Sequence, residues 1–428
     1  MDAASRLLDL RVCDPAMGSG HFLVSLVDYL TDRVIEALAE AHEIAPGYES
    51  PVAARIEGIR ETIRRNAASG GWTVEASQLD DRHLVRRMVL KRCVYGVDKN
   101  PMAVELAKVS LWLHSFTVGA PLGFLDHHLR AGDSLFGAWV RPATARAMRE
   151  GGPLFVSGPL RKAAGAARPM EAIEALTDAE IAEAAESERL FRGVQERTRP
   201  FEAFLSVLHA LDWREDRSAE ARAAVRAWLS GKFGDPVVIA AGEAEVPPDQ
   251  EQAAKFGELL AEARERTAEE GFLHWELAFP GVWPDWEAEG DRQGGFDAVI
   301  GNPPWDRLKL QQVEWFAFRR PDIANVQRAS DRKVLISALQ KSGDPLADDF
   351  RRADARARRA ADVARKGGDY PLLSSGDINI YSLFVERGMS LVKPDGAVGL
   401  LVPSGIASDK NAARFFRSVA TAGRLRAL

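Results

Sequence analysis

Three short apolar segments in the first third of the chain each lead into an aspartate, and this recurrence constrains the fold more than any other feature. Leu7 to Val12 leads to Asp14, Cys93 to Val97 leads to Asp98, and the segment Ala131-Gly132-Asp133-Ser134-Leu135 carries the third. After Asp14 come a glycine turn and a helical pattern through Leu30; after Asp98, Pro101 opens a helix with Val104, Ala107, Leu111 and Leu113 as its apolar positions. Strand-like runs alternating with helical ones predict an α/β fold, a Rossmann-like, doubly wound and mostly parallel sheet. Such sheets bind ligands beyond the carboxyl ends of their strands. Any one of these aspartates read alone is a cap or turn residue. Three in succession point to a ligand site along one rim.

The glycine turn reads Asp14-Pro15-Ala16-Met17-Gly18-Ser19-Gly20-His21-Phe22-Leu23. Glycines let a ligand approach the backbone closely, and a helix that starts there presents free N–H groups. A dinucleotide site would want a third glycine where Leu23 stands, and an acid about 20 residues on. Asp98 lies far beyond that interval, so a nicotinamide cofactor is disfavoured. A carboxylate at Asp98, at the end of the second strand, is placed to accept both hydroxyls of a ribose.

Farther along, the apolar run Phe296 to Ile300 delivers Gly301-Asn302-Pro303-Pro304-Trp305. An asparagine oxygen and a proline carbonyl fixed by consecutive locked φ angles can grip the N–H groups of a nucleobase amine, and an indole offers a flat face to an unstacked base. The bland alternative is an Asn-Pro turn with Trp305 in the core.

With these segments in view the chain resembles the S-adenosylmethionine-dependent amino-group DNA methyltransferases of the N6-adenine branch. The segments that carry the likeness are 14–23, VYGVDKNPMAVELAKVSLWL at 94–113, AGDSLFG at 131–137, FDAVIGNPPW at 296–305 and the stretch 376–406. Within that family it is similar to the large methylases of bacterial restriction–modification and phage-defence systems. The resemblance implies that Asp14, Ala16, Gly18, Ser19, Gly20 and Phe22 hold the methionine part of S-adenosyl-L-methionine, that Asp98 binds its ribose, and that Asp133 binds its adenine amine. It further implies that Asn302, Pro303 and Trp305 hold a target adenine flipped from double-stranded DNA, with Pro304 stiffening the loop. Met17 stands where the family usually has cysteine, a change that should be tolerated because no thiol chemistry is needed. No metal is expected, since the sulfonium is already activated.

The chain of 428 residues can bury one large core plus an insertion. It has no apolar run of membrane length and no signal-peptide order at its start, so a cytoplasmic location is expected. Its two cysteines, Cys13 and Cys93, read as reduced core thiols, and the pair His127-His128 has no metal-binding spacing. A net charge of −6 looks wrong for a partner of DNA, but 307–366 holds 15 lysines and arginines against 8 acids, a local +7 that leaves −13 elsewhere. The run Arg351 to Arg359 predicts a strongly basic helix, which reads equally well as a solvated face.

The motifs divide the chain into a cofactor-binding half at 1–140, a helical insertion at 141–270, and a catalytic half at 271–428 with a basic helical insertion at about 307–370. The insertion is expected to have Gly-Pro-rich ends near 151–159 and 231–248, a capping box at Thr177 to Glu180, and a packing stripe of Phe201, Phe204, Leu205 and Leu208. Phe272 to Pro280 is expected to re-enter the sheet, followed by a helix at Asp377 to Val392, a fifth strand at Gly396 to Val402 and a helix at Ser408 to Val419. Only 13 residues precede Asp14. The resemblance implies further strands and a target recognition domain, so the sheet is expected to be incomplete at its C-terminus, and a separate specificity or C-terminal subunit is one partner this allows. Cytosine N4, RNA or protein glutamine as methyl acceptor, and a non-catalytic cofactor- or DNA-binding fragment of a complex, remain open readings. No nuclease motif is visible.

Overall fold

The computed structural model describes residues 2–71, 73–152, 155–249, 251–283 and 293–428. Two of the residues in the Gly-Pro-rich segment near 151–159, Pro153 and Leu154, fall outside these. Two compact units are present: Met1–Asn302 with Leu391–Leu400, and Pro303–Ser390 with Leu401–Leu428.

The first unit is built on an all-parallel sheet of five strands, β1 (Val12–Asp14), β2 (Val94–Asp98), β3 (Leu129–Ala131), β4 (Phe296–Gly301) and β5 (Val392–Leu400), in the order β3-β2-β1-β4-β5. Cys13 pairs with Tyr95 on one side and Val299 on the other, so β1 is central. Its burial on both faces explains why the central strands read as continuous apolar runs. Both cysteines are buried free thiols, and burial pushes the Cys93 thiol up to about 12. Strand order reverses at β1 and β4, which makes their carboxyl ends the switch point of the sheet.

Helices α1 (Ala3–Leu8), α2 (His21–Ile44), α3 (Pro51–Ser69), α4 (Asp81–Arg92) and α5 (Pro101–His114) pack with the cofactor half. The expectation for Leu7 to Val12 needs correction: Leu7 and Leu8 close α1, and the strand begins only at Val12. The Asp2 carboxylate caps α1 by accepting the Ser5 N–H at 2.8 Å, and Leu8 is buried in the main core. Short apolar runs fit either element, and here the cap decides. On α5, Pro101 does sit in the first turn and Val104, Ala107 and Leu111 are buried, whereas Leu113 is 73% exposed.

Between β3 and β4 lies a run of helices among the described residues: α6 (Val140–Gly151), α7 (Ser157–Ala164), α8 (Ala167–Ala175), α9 (Ile181–Ala210), α10 (Ala219–Leu229), α11 (Pro236–Ala241) and α12 (Ala253–Glu270). The stripe on α9 is buried as its spacing predicts. The capping box is not formed. Thr177 instead donates to the Glu183 carboxylate, while Asp178 turns to a φ of 51° to reach Lys91 at 2.6 Å and Ser187, both buried. That buried ion pair outweighs the local cap.

Phe272 adds a single parallel bridge to Asp133, and Trp275–Ala278 (α13) is helical, so this segment braces the sheet and does not form a strand in it. His274 locks it to the insertion: Nδ1 accepts the Ala138 N–H at 2.9 Å, which leaves the proton on Nε2 to donate to Ser206 at 2.8 Å, and burial pushes the ring down to about 3. The regular ladder of β5 against β4 runs from Ala397 to Leu400, shorter at its end than expected, after a register shift that separates it from the Phe296–Val392 pair.

In the second unit α14 (Gln312–Ala317), α15 (Pro321–Ala324), α16 (Ala329–Lys341) and α17 (Pro345–Lys366) gather round Phe316, Ile323 and Phe350. Helix α18 (Ile380–Leu391) packs with a second small core at Leu373, Ile406 and Phe415. The helix expected at Ser408 to Val419 is broken at Asp409 into α19 (Gly405–Ser408) and α20 (Ala413–Thr421). No helix among the described residues is long and apolar enough to cross a membrane.

Candidate functional site

Parallel pairing aligns the carboxyl ends of β1, β2, β3 and β4, and in the first unit this brings the three aspartates and Asn302 to one rim. Asp14 ends β1 and is buried; its Oδ1 accepts the Ala16 N–H at 3.0 Å. Burial is the main cause that lifts its carboxyl from 3.8 to about 7, opposed by the Ala16 hydrogen bond and assisted by the charge of Asp98. Asp98 ends β2, half-buried, and clasps two backbones: Oδ2 accepts the Gly18 N–H at 2.9 Å and Oδ1 accepts the Asn100 N–H at 2.8 Å. A carboxylate has about four acceptor positions, so each oxygen keeps a lone pair for a ligand hydroxyl.

The loop between β1 and α2 takes its shape from its glycines. Gly18 has φ +54° with nothing within 4 Å of a would-be Cβ, and Gly20, which starts α2, has φ +87° with Ala107 close behind it. Ser19 lies at the surface with its hydroxyl 3.0 Å from His21 Nδ1, and Phe22 is 40% exposed on the first turn of α2. Met17 points the other way, into the core. Its sulfur rests against Gly96 of β2, where a Cβ would lie 2.3 Å from it. The missing side chain at Gly96 is therefore what admits methionine at this turn.

Asp133 stands two residues beyond β3 and is buried. Its Oδ1 accepts the N–H groups of Leu135 and Phe136, and its Oδ2 accepts Lys99 Nζ at 2.6 Å. The Ser134 hydroxyl donates to the Pro15 carbonyl, and Trp275 Nε1 donates to the Ser134 carbonyl at 3.1 Å, so the glycine loop is tied to the bracing segment. Gly301, the last residue of β4, has φ +146°, and a Cβ there would lie 2.5 Å from Asp14 Oδ1. Only glycine allows β4 to pass the buried carboxylate and present Asn302, which is exposed, beside the loop.

The next three residues of the chain open the second unit. There Pro303 is buried, Pro304 is exposed, and Trp305 is 53% exposed with its Nε1 donating to the Leu401 carbonyl at 3.4 Å, so the indole is not a core residue. Downstream, α17 carries 7 basic residues against 4 aspartates, but Arg351, Arg352 and Arg358 pair with Asp348, Asp349 and Asp354 on the same helix. Its basic field is weaker than the bare run of arginines suggests.

Sequence reasoning missed Lys99, Ser134, Gly96 and Gly301. The first two follow aspartates already singled out and could have been included on adjacency. The two glycines act through close approaches made by distant segments, for which the sequence holds no local signal.

A model of the Eco57I restriction-modification methylase family matches residues 92–333. That span runs from β2 through the helical insertion to β4 and the Asn302 to Trp305 motif. No curated protein and no solved structure matches the chain.

Proposed function

The chain belongs to the Eco57I restriction-modification methylase family and is a restriction-modification DNA methyltransferase; from that premise we propose that it transfers a methyl group from S-adenosyl-L-methionine to N6 of adenine in double-stranded DNA. The observation that carries this reading is the passage of β4 against the Asp14 carboxylate, which puts Asn302 beside the glycine loop. An acceptor for the target amine thus adjoins the loop assigned to the methyl donor.

The donor set suits S-adenosylmethionine. An ammonium, a pair of ribose hydroxyls and an adenine amine all seek acceptors, and Asp14, Asp98 and Asp133 supply them on three adjacent strands, while the open space at Gly18 leaves backbone accessible. When bound, the cofactor supplies a methyl group already activated by its sulfonium. The protein's own residues do the rest. Asn302, through its side-chain oxygen, and Pro303, through its carbonyl, accept the two amine hydrogens and turn the nitrogen lone pair outward. Pro304 stiffens the turn by its locked φ, and Trp305 stacks on the extruded base, offsetting the few kcal/mol that flipping costs. Held this way, the amine nitrogen would take the methyl group and its surplus proton would pass to water. Alignment of the two groups is the main catalytic contribution.

The test is transfer of labelled methyl to unmethylated DNA of mixed sequence, followed by chromatography of the nucleosides. The proposal predicts N6-methyladenine that disappears in Asn302→Ala. N4-methylcytosine, or label that persists in the variant, overturns it.

A further inference from the structure

Asp133 and Glu270 are two buried carboxylates that share one lysine. Lys99 Nζ lies 2.6 Å from Asp133 Oδ2 and 3.3 Å from Glu270 Oε2; the lysine side chain is 49% exposed, the carboxylates 9% and 3%. Glu270 is the last residue of α12 and so belongs to the helical insertion. Its place is fixed by the turn that follows, where Gly271 adopts φ +63° and its carbonyl accepts the Asp133 N–H at 2.7 Å. Arg266, one turn earlier on α12, stands 3.8 Å from the other oxygen of Glu270.

This arrangement obstructs the role assigned to Asp133. Its Oδ1 is filled by two backbone N–H groups, and Lys99 holds one of the two acceptor positions of Oδ2, so a ligand amine is left a single position beside an ammonium. A long, half-exposed side chain can leave by changing rotamer, and a buried anion already 3.3 Å away offers its ammonium a partner in addition to water. Glu270 is that anion. We propose that Lys99 is an internal occupant of the adenine subsite, and that Glu270 is a positioning residue which receives it when the cofactor's adenine amine takes its place on Asp133. The helical insertion thereby contributes directly to cofactor affinity. This inference rests on the reading that Asp133 binds the cofactor.

The experiment is calorimetric titration of the full chain with S-adenosylmethionine, with folding of each variant checked by circular dichroism. Glu270→Gln weakens binding roughly tenfold in the natural background, because Lys99 then has only Asp133 to pair with, and less than about twofold in a Lys99→Met background, where nothing needs to be received. Equal losses in both backgrounds, or no loss in the first, overturn the proposal. Should Glu270→Gln fail to fold, Lys99→Met alone decides: removing the occupant tightens binding, and unchanged or weaker binding refutes it. Asp133→Asn separates the two levels of the argument. Unchanged affinity in that variant removes Asp133 from the cofactor site, and the inference falls with that reading; a loss there with no coupling between Lys99 and Glu270 overturns the inference alone.

Discussion

Asp14→Asn probes the switch point of the sheet through pH. The natural carboxyl, buried at the end of β1, titrates at about 7 when folded against 3.8 for the ordinary group. A carboxyl whose pKa is raised on folding holds a proton that the unfolded chain has released. Its cost to stability is therefore absent below 3.8, grows as pH rises, and is complete above about 7. At about 1.4 kcal/mol for each tenfold in proton affinity, the full cost is roughly 4 kcal/mol. Asparagine keeps the shape and still accepts the Ala16 N–H through its oxygen, but carries no charge. Urea unfolding followed by circular dichroism should find the two proteins similar near pH 4 and the variant more stable by up to about 4 kcal/mol at pH 8.5. A cationic ligand group beside Asp14 would pull the carboxyl back down, so binding of S-adenosylmethionine at pH 6.5 should release protons from the natural chain and none from the variant. A stability difference that does not change with pH would refute the reasoning.

Three further outcomes follow from close approaches and charge. Gly301→Ala forces a Cβ to within 2.5 Å of Asp14 Oδ1 at a φ of +146°, and should cost roughly 2–3 kcal/mol in thermal unfolding and abolish methyl transfer; a variant with the natural melting temperature contradicts the packing argument. Gly96→Ala should be destabilising because of Met17, and the loss should shrink by at least about 1 kcal/mol in combination with Met17→Cys; additive losses mean that the two residues are independent. Replacing Arg351, Arg352, Arg358 and Arg359 with glutamine should lower DNA affinity and flatten its salt dependence by about 1–2 in logarithmic slope, short of the roughly 3.6 that four unpaired phosphate contacts would give, because three of the four pair with aspartates on α17. An unchanged slope assigns the helix to the solvated surface.

Much of the first unit was legible because buried parallel strands leave long apolar signatures and their ends carry punctuation. Cys93 to Val97 with Pro101 behind it marked both β2 and α5 to within a residue. The first strand was misplaced because it is only three residues long and the helix before it is capped by Asp2, a residue outside the apolar run. The positions of Asp14, Asp98, Asp133 and Asn302 could be read from chain order alone, since sheet topology converts strand ends into neighbours. Contacts made across folded space could not. Glu270 is 137 residues from Asp133 in sequence, and only the turn at Gly271 brings their carboxylates to one lysine. The capping box at Thr177 failed for the same reason, since a buried partner 87 residues away, Lys91, claimed Asp178.

The pairing of β4 with β1 joins Val12 to Ala298, across almost three hundred residues. Closing so long a loop is less costly than it looks, because closure entropy grows with the logarithm of length: lengthening a connection eightfold adds only about 2 kcal/mol. A parallel sheet that already needs a crossover at this point can therefore host an entire helical insertion there and lose little stability. Time is where the length is felt. Strands β1, β2 and β3 and their helices draw on nearer sequence, whereas the strand that leads to Asn302 must find its slot after a long search, so the pocket proposed for the methyl donor is expected to assemble before the group proposed to grip the acceptor.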